Sequence, residues 1–489
     1  MKKVLLIPAI LALSLAACTK ENEFEAPAEK SAGSPGVYHV SIPASLAGDT
    51  KSVVFGSDGS SVSSMFLQTD NIYVYNETKN ALACDYQAPS FGLTPLHPDN
   101  DGTECTLTGN LTFYNENELV LNGTSCVPVA VENTDTYTLL YHRYSDDYLP
   151  SYFNFDYTNQ TGSATSASNH DYAMATGVTL TDNGSGALTA PGKVHFSNLG
   201  SMFRQRLTFA KGPGGEGSTS PALQRFYVST PNGKAIKKYH PFFPSGFQYD
   251  YGKVRIDDPV ITGEGDIYFA QMFNGENANE ALVLTAWDTD GNIYSCTKAA
   301  PAGGFANGKY YHGDATMTWL RNRAPLVTGT DTEPDYAHGL YEIADSSVNI
   351  AISGMSDDFT FAMNHGGTVA LNNLTATNEN GEYFMQVSAS ENLQLVLTGT
   401  NTISCNAHKC FDLPYGNLKL SCTGGSATLT VTALHPALYG INAANYNNTT
   451  NGYDVSALAA DGFTVTRSER TDNADGTCSW TYTVADNTP

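Results

Sequence analysis

Charge is what this sequence has least of. Only 15% of its residues are Asp, Glu, Lys or Arg, and 25 basic against 49 acidic side chains leave a formal net charge of −24. Long amphipathic helices draw on Glu, Lys and Arg for their exposed faces, so the shortage argues against a helical protein. The acidic excess repels phosphate backbones and anionic headgroups, so nucleic acid is not an expected partner. Beyond the first eighteen residues no apolar run reaches membrane length. The chain also lacks G-x-S-x-G, a Walker loop and H-E-x-x-H, the signatures of a serine hydrolase, a phosphate-binding loop and a zinc peptidase. Nine cysteines in 489 residues are too sparse to frame domains of the size this length allows. No metal and no cofactor is expected.

What is present points to β-structure: 44 Gly, 28 Tyr and 22 Phe, with abundant Thr, Ser and Asn. The chain opens with Met1, Lys2 and Lys3, then an apolar stretch from Val4 to Leu15, then Leu15-Ala16-Ala17-Cys18. This is the pattern of a signal peptide, too short to serve as a stable span. Small residues ending in a cysteine resemble the bacterial lipobox, which implies that Cys18 is acylated, becomes the new N-terminus and attaches the chain to the membrane. Each buried CH₂ of such a lipid contributes about 0.8 kcal/mol, so several acyl chains would hold the body lastingly. About 470 of the 489 residues remain, enough for two to four domains. Residues 19–36 are acidic, rich in Pro, Ala and Ser, and without period, which reads as a tether. Their Thr-Lys-Glu-Asn-Glu start resembles the acidic signals that send lipoproteins of the Bacteroidetes to the outer surface. The implied location is the outer membrane, lipid-anchored and surface-exposed.

From Val37 the pattern is strand, turn, strand. Tyr38 to Ile42 alternates, Ser52 to Phe55 is a short apolar run, and Asn71 to Tyr75 alternates again before the turn at Asn76 to Asn80. Further segments at Leu107 to Phe113, Tyr137 to Tyr141 and Val178 to Leu180 continue the series, at the spacing of a β-sandwich. Ala281 to Trp287 and Asn292 to Cys296 flank Asp288-Thr289-Asp290-Gly291 as a hairpin. The two aspartates there read as turn chemistry, since no glutamate closes a calcium loop.

Several segments together resemble the fimbrillin-like lipoproteins, pilin subunits of the Bacteroidetes. They are Thr50-Lys51-Ser52-Val53-Val54-Phe55, Asp70-Asn71-Ile72-Tyr73-Val74-Tyr75-Asn76, His170-Asp171-Tyr172-Ala173-Met174-Ala175, the pair Val194-His195-Phe196 and Arg206-Leu207-Thr208-Phe209, and Phe305-Ala306-Asn307-Gly308-Lys309-Tyr310-Tyr311. They fall in that family's order over residues 1–322. The resemblance implies two tandem transthyretin-like β-sandwiches and assembly by donor-strand addition. In that scheme a protease removes the first strand after a basic residue, and a strand of another subunit fills the groove. The mature chain has no arginine before Arg143, so Lys51, with Ser52 following, is the candidate processing site. The implied partners are other pilin subunits, the outer membrane through the lipid, and a glycan or protein receptor.

Residues 323–338, with Pro325, Gly329 and Pro334, read as a linker. Beyond them Asn373-Leu374-Thr375, Asn392-Leu393-Gln394-Leu395-Val396-Leu397-Thr398-Gly399 and Asn417-Leu418-Lys419-Leu420-Ser421-Cys422-Thr423-Gly424 are versions of one strand. Aligned by period two, Leu393, Leu395 and Leu397 share a face with Leu418, Leu420 and Cys422, with Gln394 and Lys419 opposite. The expected fold class is therefore all-β: two tandem β-sandwich domains, then a C-terminal right-handed parallel β-helix, with a two-sheet sandwich as the alternative for that last part. The expected layout is a signal and lipobox at 1–18, a tether at 19–36, sandwiches at 37–190 and 191–322, the linker at 323–338 and the β-helix at 339–489.

No group of residues makes a convincing catalytic cluster, and the chain is not expected to be an enzyme. Asp357-Asp358 reads as a solvated turn pair. Cys405, His408 and Cys410 match no common zinc spacing; Cys405 and Cys410 are candidates for a disulfide, or for buried thiols. Phe153, Phe155 and Tyr157 share a strand face, as core residues would, although rings so dense also suit a stacked sugar. The functional expectation is a pilus tip or accessory subunit acting in adhesion. The alternatives are a stand-alone glycan-binding lipoprotein and, behind it, a polysaccharide-degrading enzyme.

Overall fold

The computed structural model describes residues 36–487 except 47–52, 56–61, 88–89, 116–125, 143–153, 214–220, 242–249, 260, 262–263, 331, 337, 344–348, 380–382, 388–391, 408, 414–417, 435–445, 448–451, 454 and 474–476. The described chain is nearly all β, and Ala164–Asn169 is its one α-helix among the described residues. Contacts divide the chain into two units: residues 1–50, 64–152 and 172–197, and residues 51–63, 153–171 and 198–489.

The first unit is organised around Tyr38–Leu46, the first described strand. Its alternation of buried and exposed residues follows the pleat, with Tyr38, Val40, Ile42 and Ala44 inside. Along one edge it pairs antiparallel with Glu104–Leu111, from Tyr38 opposite Leu111 to Ser45 opposite Glu104. Parallel pairing with Ala187–Thr189 and then Val194–Asn198 completes its ladder. Phe66 lies edge-on to both Tyr141 and Phe196 in the core these strands cover. Val194–Asn198 therefore belongs with the first unit, and the expected boundary after residue 190 falls ahead of it. Alternation identifies which face of a strand is buried but not which strand lies beside it.

In the second unit a ten-stranded sheet has Ser201–Lys211 and Tyr310–Asn322 as parallel central neighbours. Phe203 stacks on Phe269 at 4.8 Å and Phe273 on Phe305 at 4.8 Å. The segment 305–311 fastens one end of this core: Phe305 is buried, Gly308 N–H donates to the Gly200 carbonyl, and the Asn307 side chain bridges both main-chain groups of Phe273. Asn154–Asp156, which the sequence reading grouped with the N-terminal part, pairs with Ile236–Pro241 in this unit. The hairpin of Leu282–Asp288 and Asn292–Lys298 turns at Gly291, whose φ of 78° suits glycine.

From Leu340 onward each turn of chain contributes one segment to each of three parallel stacks. The first stack is Leu340–Ile343, Thr360–Met363, Met385–Val387 and Phe411–Asp412, within which Tyr341 stacks on Phe361 at 5.6 Å. The second places Val369 beside Ile350, Leu395 beside Val369 and Leu420 beside Leu395. The third places Thr375 beside Met355, Thr402 beside Thr375 and Thr430 beside Thr402. Between second and third stacks the turns bend at left-handed residues: Gly354, Asn373 and Gly399, with φ of 83°, 49° and 64°, and in the last turn Gly424 and Gly425 together, at 79° and 88°. A Cβ on Gly399 would run into Asn373 Oδ1, so the glycine is required by close approach as well as by φ. The register read from the sequence is present as read: Leu393 faces Leu418, Gln394 faces Lys419 and Leu397 faces Cys422. Antiparallel strands lie on both ends of this sheet, Leu326–Thr328 on Ile350–Asp357 and Cys478–Asp486 on Ser426–Ala433.

Candidate functional site

Two features of the described residues have more organisation than folding a sheet requires. One is the bed of the strand 38–46. Its side chains enter the core at alternate positions, and Val131 N–H donates to Tyr38 Oη at 3.1 Å. Ser45 Oγ and His195 Nδ1 meet at 2.7 Å near the other end. Removing this strand would leave unpaired main-chain groups on Glu104–Leu111 along one edge and on 187–189 and 194–196 along the other, together with the places of Tyr38, Val40, Ile42 and Ala44. Such a groove reads both main-chain direction and side-chain register. The candidate processing site Lys51 and Ser52, and the lipobox Cys18, lie outside the described residues.

The other feature is a cationic cluster where Tyr310–Asn322 leads into the C-terminal stacks. Arg323 is 1% exposed, with its guanidinium 4.9 Å from the Phe359 ring, 5.3 Å from Trp287 and 5.9 Å from Tyr336. It donates to Gln224 Oε1 at 3.2 Å and to the Tyr336 carbonyl. Arg225 bonds Asp358 at 2.5 Å and Asp257 at 3.0 Å, while Arg321 pairs with Asp357. Burial, reinforced by Arg225 nearby, pushes Arg323 below the ordinary guanidinium value. Burial also weighs against the charge of Arg225, but Tyr227 and Asp358 more than offset it and its pKa stands above the ordinary value. Burial raises the Asp357 carboxyl against the opposing pull of Arg321.

The aspartate pair is thus not a solvated turn: Asp358 is 3% exposed, sits at φ 52°, and also accepts from Glu379 N–H at 2.6 Å. Gly339 packs so close to the Asp358 carbonyl that a Cβ there would collide with it. Nor is 323–338 a free linker, since it carries Arg323 and a paired strand and lines a cavity of about 690 Å³ with Glu333, Tyr336 and Tyr341. Sequence reasoning missed this cluster because Arg225 and Asp358 are 133 residues apart, beyond any local pattern.

The remaining candidates have structural explanations. Asp288 accepts from Asp290 N–H, from Asn292 N–H and Nδ2, and from Tyr294 Oη, which is the chemistry of a turn. Phe155 and Tyr157 are buried, and Phe153 and His408 lie outside the described residues. Cys405 and Cys410 are free, buried thiols; Cys410 donates to the Thr432 carbonyl at 3.3 Å, and its contact with Cys405, together with burial, holds its pKa well above the usual thiol range. Cys422 fills the core position expected of it. Among the described residues no group of three or more His, Cys, Asp or Glu could hold a metal ion, and no helix is long and apolar enough to cross a membrane.

No protein-family model matches the chain, and no curated protein does. Solved structures to which it is similar are cell adhesion and fimbrial proteins of the Bacteroidetes. One is a candidate cell adhesion protein of Bacteroides eggerthii, 11% identical with a TM-score of 0.28, the match covering 58% of this chain and 88% of that one. Another is a fimbrial assembly protein of Parabacteroides distasonis, 10% identical with a TM-score of 0.25, covering 58% and 92%. A third is the fimbrial anchor protein Mfa2 of Porphyromonas gingivalis, 9% identical with a TM-score of 0.23, covering 52% and 78%.

Proposed function

We propose that this chain is a surface lipoprotein that joins a fimbrial-type fibre as a tip or accessory subunit and acts in adhesion, not catalysis. The observation that carries the reading is the placement of strand 38–46, which lies between antiparallel and parallel neighbours and fills the core at alternate positions; Lys51 follows it in the sequence. Cleavage after Lys51 releases the lipidated segment and opens a groove, into which a donor strand of another subunit adds by main-chain hydrogen bonding. In this account Cys478–Asp486, paired with Ser426–Ala433 and with Phe463–Arg467, stays in place as part of the C-terminal sheet. This favours a subunit that accepts a strand and presents its C-terminal part outward.

In this account the twelve-stranded sheet of the first unit and the ten-stranded sheet around Ser201–Lys211 belong to transthyretin-like sandwiches, and the three parallel stacks with their left-handed corners are a right-handed β-helix. The repeating register and the parallel pairing of successive rungs support the helical reading over a two-sheet sandwich, whose strands pair antiparallel. The buried arginine cluster joins this part to the preceding sheet through Arg225–Asp358 and Arg321–Asp357.

Electron microscopy of surface fibres, with this chain immunolabelled, tests the assignment. Label on the fibres is the expected result, and fibres consistently free of label would overturn it. Anchoring is tested separately: Cys18→Ala moves the uncut protein from the membrane fraction into the soluble fraction, because acylation at that position is the attachment. Persistence of the variant in the outer-membrane pellet would contradict the lipobox reading.

A further inference from the structure

The third C-terminal stack has an outward face made almost entirely of hydroxyls. Thr375, Thr402, Thr430 and Thr481 lie side by side on four adjacent strands. Two residues further along, Thr377, Ser404, Thr432 and Ser479 form a second row, opposite in strand direction only at the last member. Thr400, Thr428 and Thr483 begin a third. All of these are half-buried or exposed, while Ala376, Ile403 and Val431 between them point into the core. Rows of one strand sit about 6.6 Å apart and neighbouring strands about 4.8 Å apart, so the hydroxyls form a regular grid.

Strand propensity favours threonine but does not account for this face. The adjoining second stack, built from the same turns of chain, presents Thr368, Gln394 and Lys419 in one row and Ala370, Val396 and Ser421 in another. The first stack presents Glu342, Ala362, Gln386 and Asp412. Over these four strands the third face is uncharged and uniform, in a chain whose formal charge is −24; on the first rung the same rows continue as Met355 and as Asp357, which is paired with Arg321. Over these four strands a charged partner would find nothing to pair with, Asp357 on the first rung being already paired with Arg321, and a planar aromatic ligand would find no ring to stack on. What the face offers is a repeat of groups that each donate once and accept twice. Some are already paired, Thr430 with Thr481 at 2.9 Å and Thr432 with Ser479 at 2.8 Å, yet each retains capacity for an outside partner. Single hydroxyl contacts compete poorly with water, so such a face gains affinity only from a ligand that repeats as it does.

We propose that this Ser/Thr face binds an uncharged, unbranched polysaccharide lying across the strands, with hydroxyl meeting hydroxyl rung after rung. The inference stands apart from fibre assembly, because it is read on the unassembled protein. The purified full-length chain is incubated with microcrystalline cellulose, amylose or curdlan, and with heparin as a charged control, and binding is followed by depletion from solution. At least one neutral glucan is expected to retain the protein and heparin is not. The triple variant Thr402→Val, Thr430→Val and Thr481→Val, which keeps side-chain shape, is expected to bind at least tenfold more weakly at an unchanged melting temperature. The corresponding Thr→Ser triple variant, which keeps the hydroxyls, retains binding to within about threefold, and it decides the matter if the valine variant is misfolded. Failure to bind any of the three glucans, preference for heparin, or unweakened binding by a folded valine variant would each overturn the proposal. So would self-association of the native protein through this face, which would assign it to a second copy of the chain.

Discussion

Leu395→Asp unfolds the C-terminal stacks, at a cost of at least about 4 kcal/mol, whereas Gln394→Asp beside it is tolerated to within about 1 kcal/mol. Leu395 is fully buried between Val369 on one rung and Leu420 on the next, so a carboxylate there has neither water nor a partner. Gln394 faces outward and is half-buried, and its Nε2 donates to Ser421 Oγ at 3.0 Å. Its replacement loses one such bond, a net effect of about 1 kcal/mol. Urea unfolding of the two variants, followed by circular dichroism, measures the difference. Equal tolerance would contradict the stacked register.

Asp358→Ala is the second large effect, expected to cost about 3–5 kcal/mol. The carboxylate is buried, bonds Arg225 at 2.5 Å and accepts from Glu379 N–H, and Arg323 lies in the same cluster. Removing it leaves buried positive charge without its nearest counter-ion, and alanine at φ 52° adds backbone strain. Asp257, the other carboxylate on Arg225, has half of its side chain exposed, and Asp257→Ala should cost less than about 1 kcal/mol. Limited proteolysis and thermal melting of both variants test the contrast. A near-neutral Asp358→Ala would show that the cluster does not hold residues 323–338 and the first rung in place.

How much of this was legible in the sequence depends on the range of the interaction. The period-two repeats at 393–397 and 418–422 carry their register in their own spacing, and the same leucines and Cys422 face one another in the structure. Asp288 was read correctly as a turn residue because its partners lie within six positions of it. Strand partners were not legible: nothing local to Val194-His195-Phe196 announces that it pairs with Ala44 to Leu46. The arginine cluster was hidden for the same reason, with Asp357-Asp358 passing for a turn until Arg225 and Arg321 are placed beside it. The hydroxyl face lies between these cases. Its Thr-x-Thr and Thr-x-Ser units can be seen at 375–377, 402–404 and 430–432, but they become a grid only when the rungs are stacked in register.

The central claim is that the first strand is exchanged after proteolysis so that the chain can join a fibre. N-terminal sequencing of this protein recovered from isolated surface fibres addresses it directly. The account predicts a terminus at Ser52, produced by cleavage after Lys51. An uncut terminus at lipidated Cys18 would contradict it, and would mean that strand 38–46 remains in its own groove.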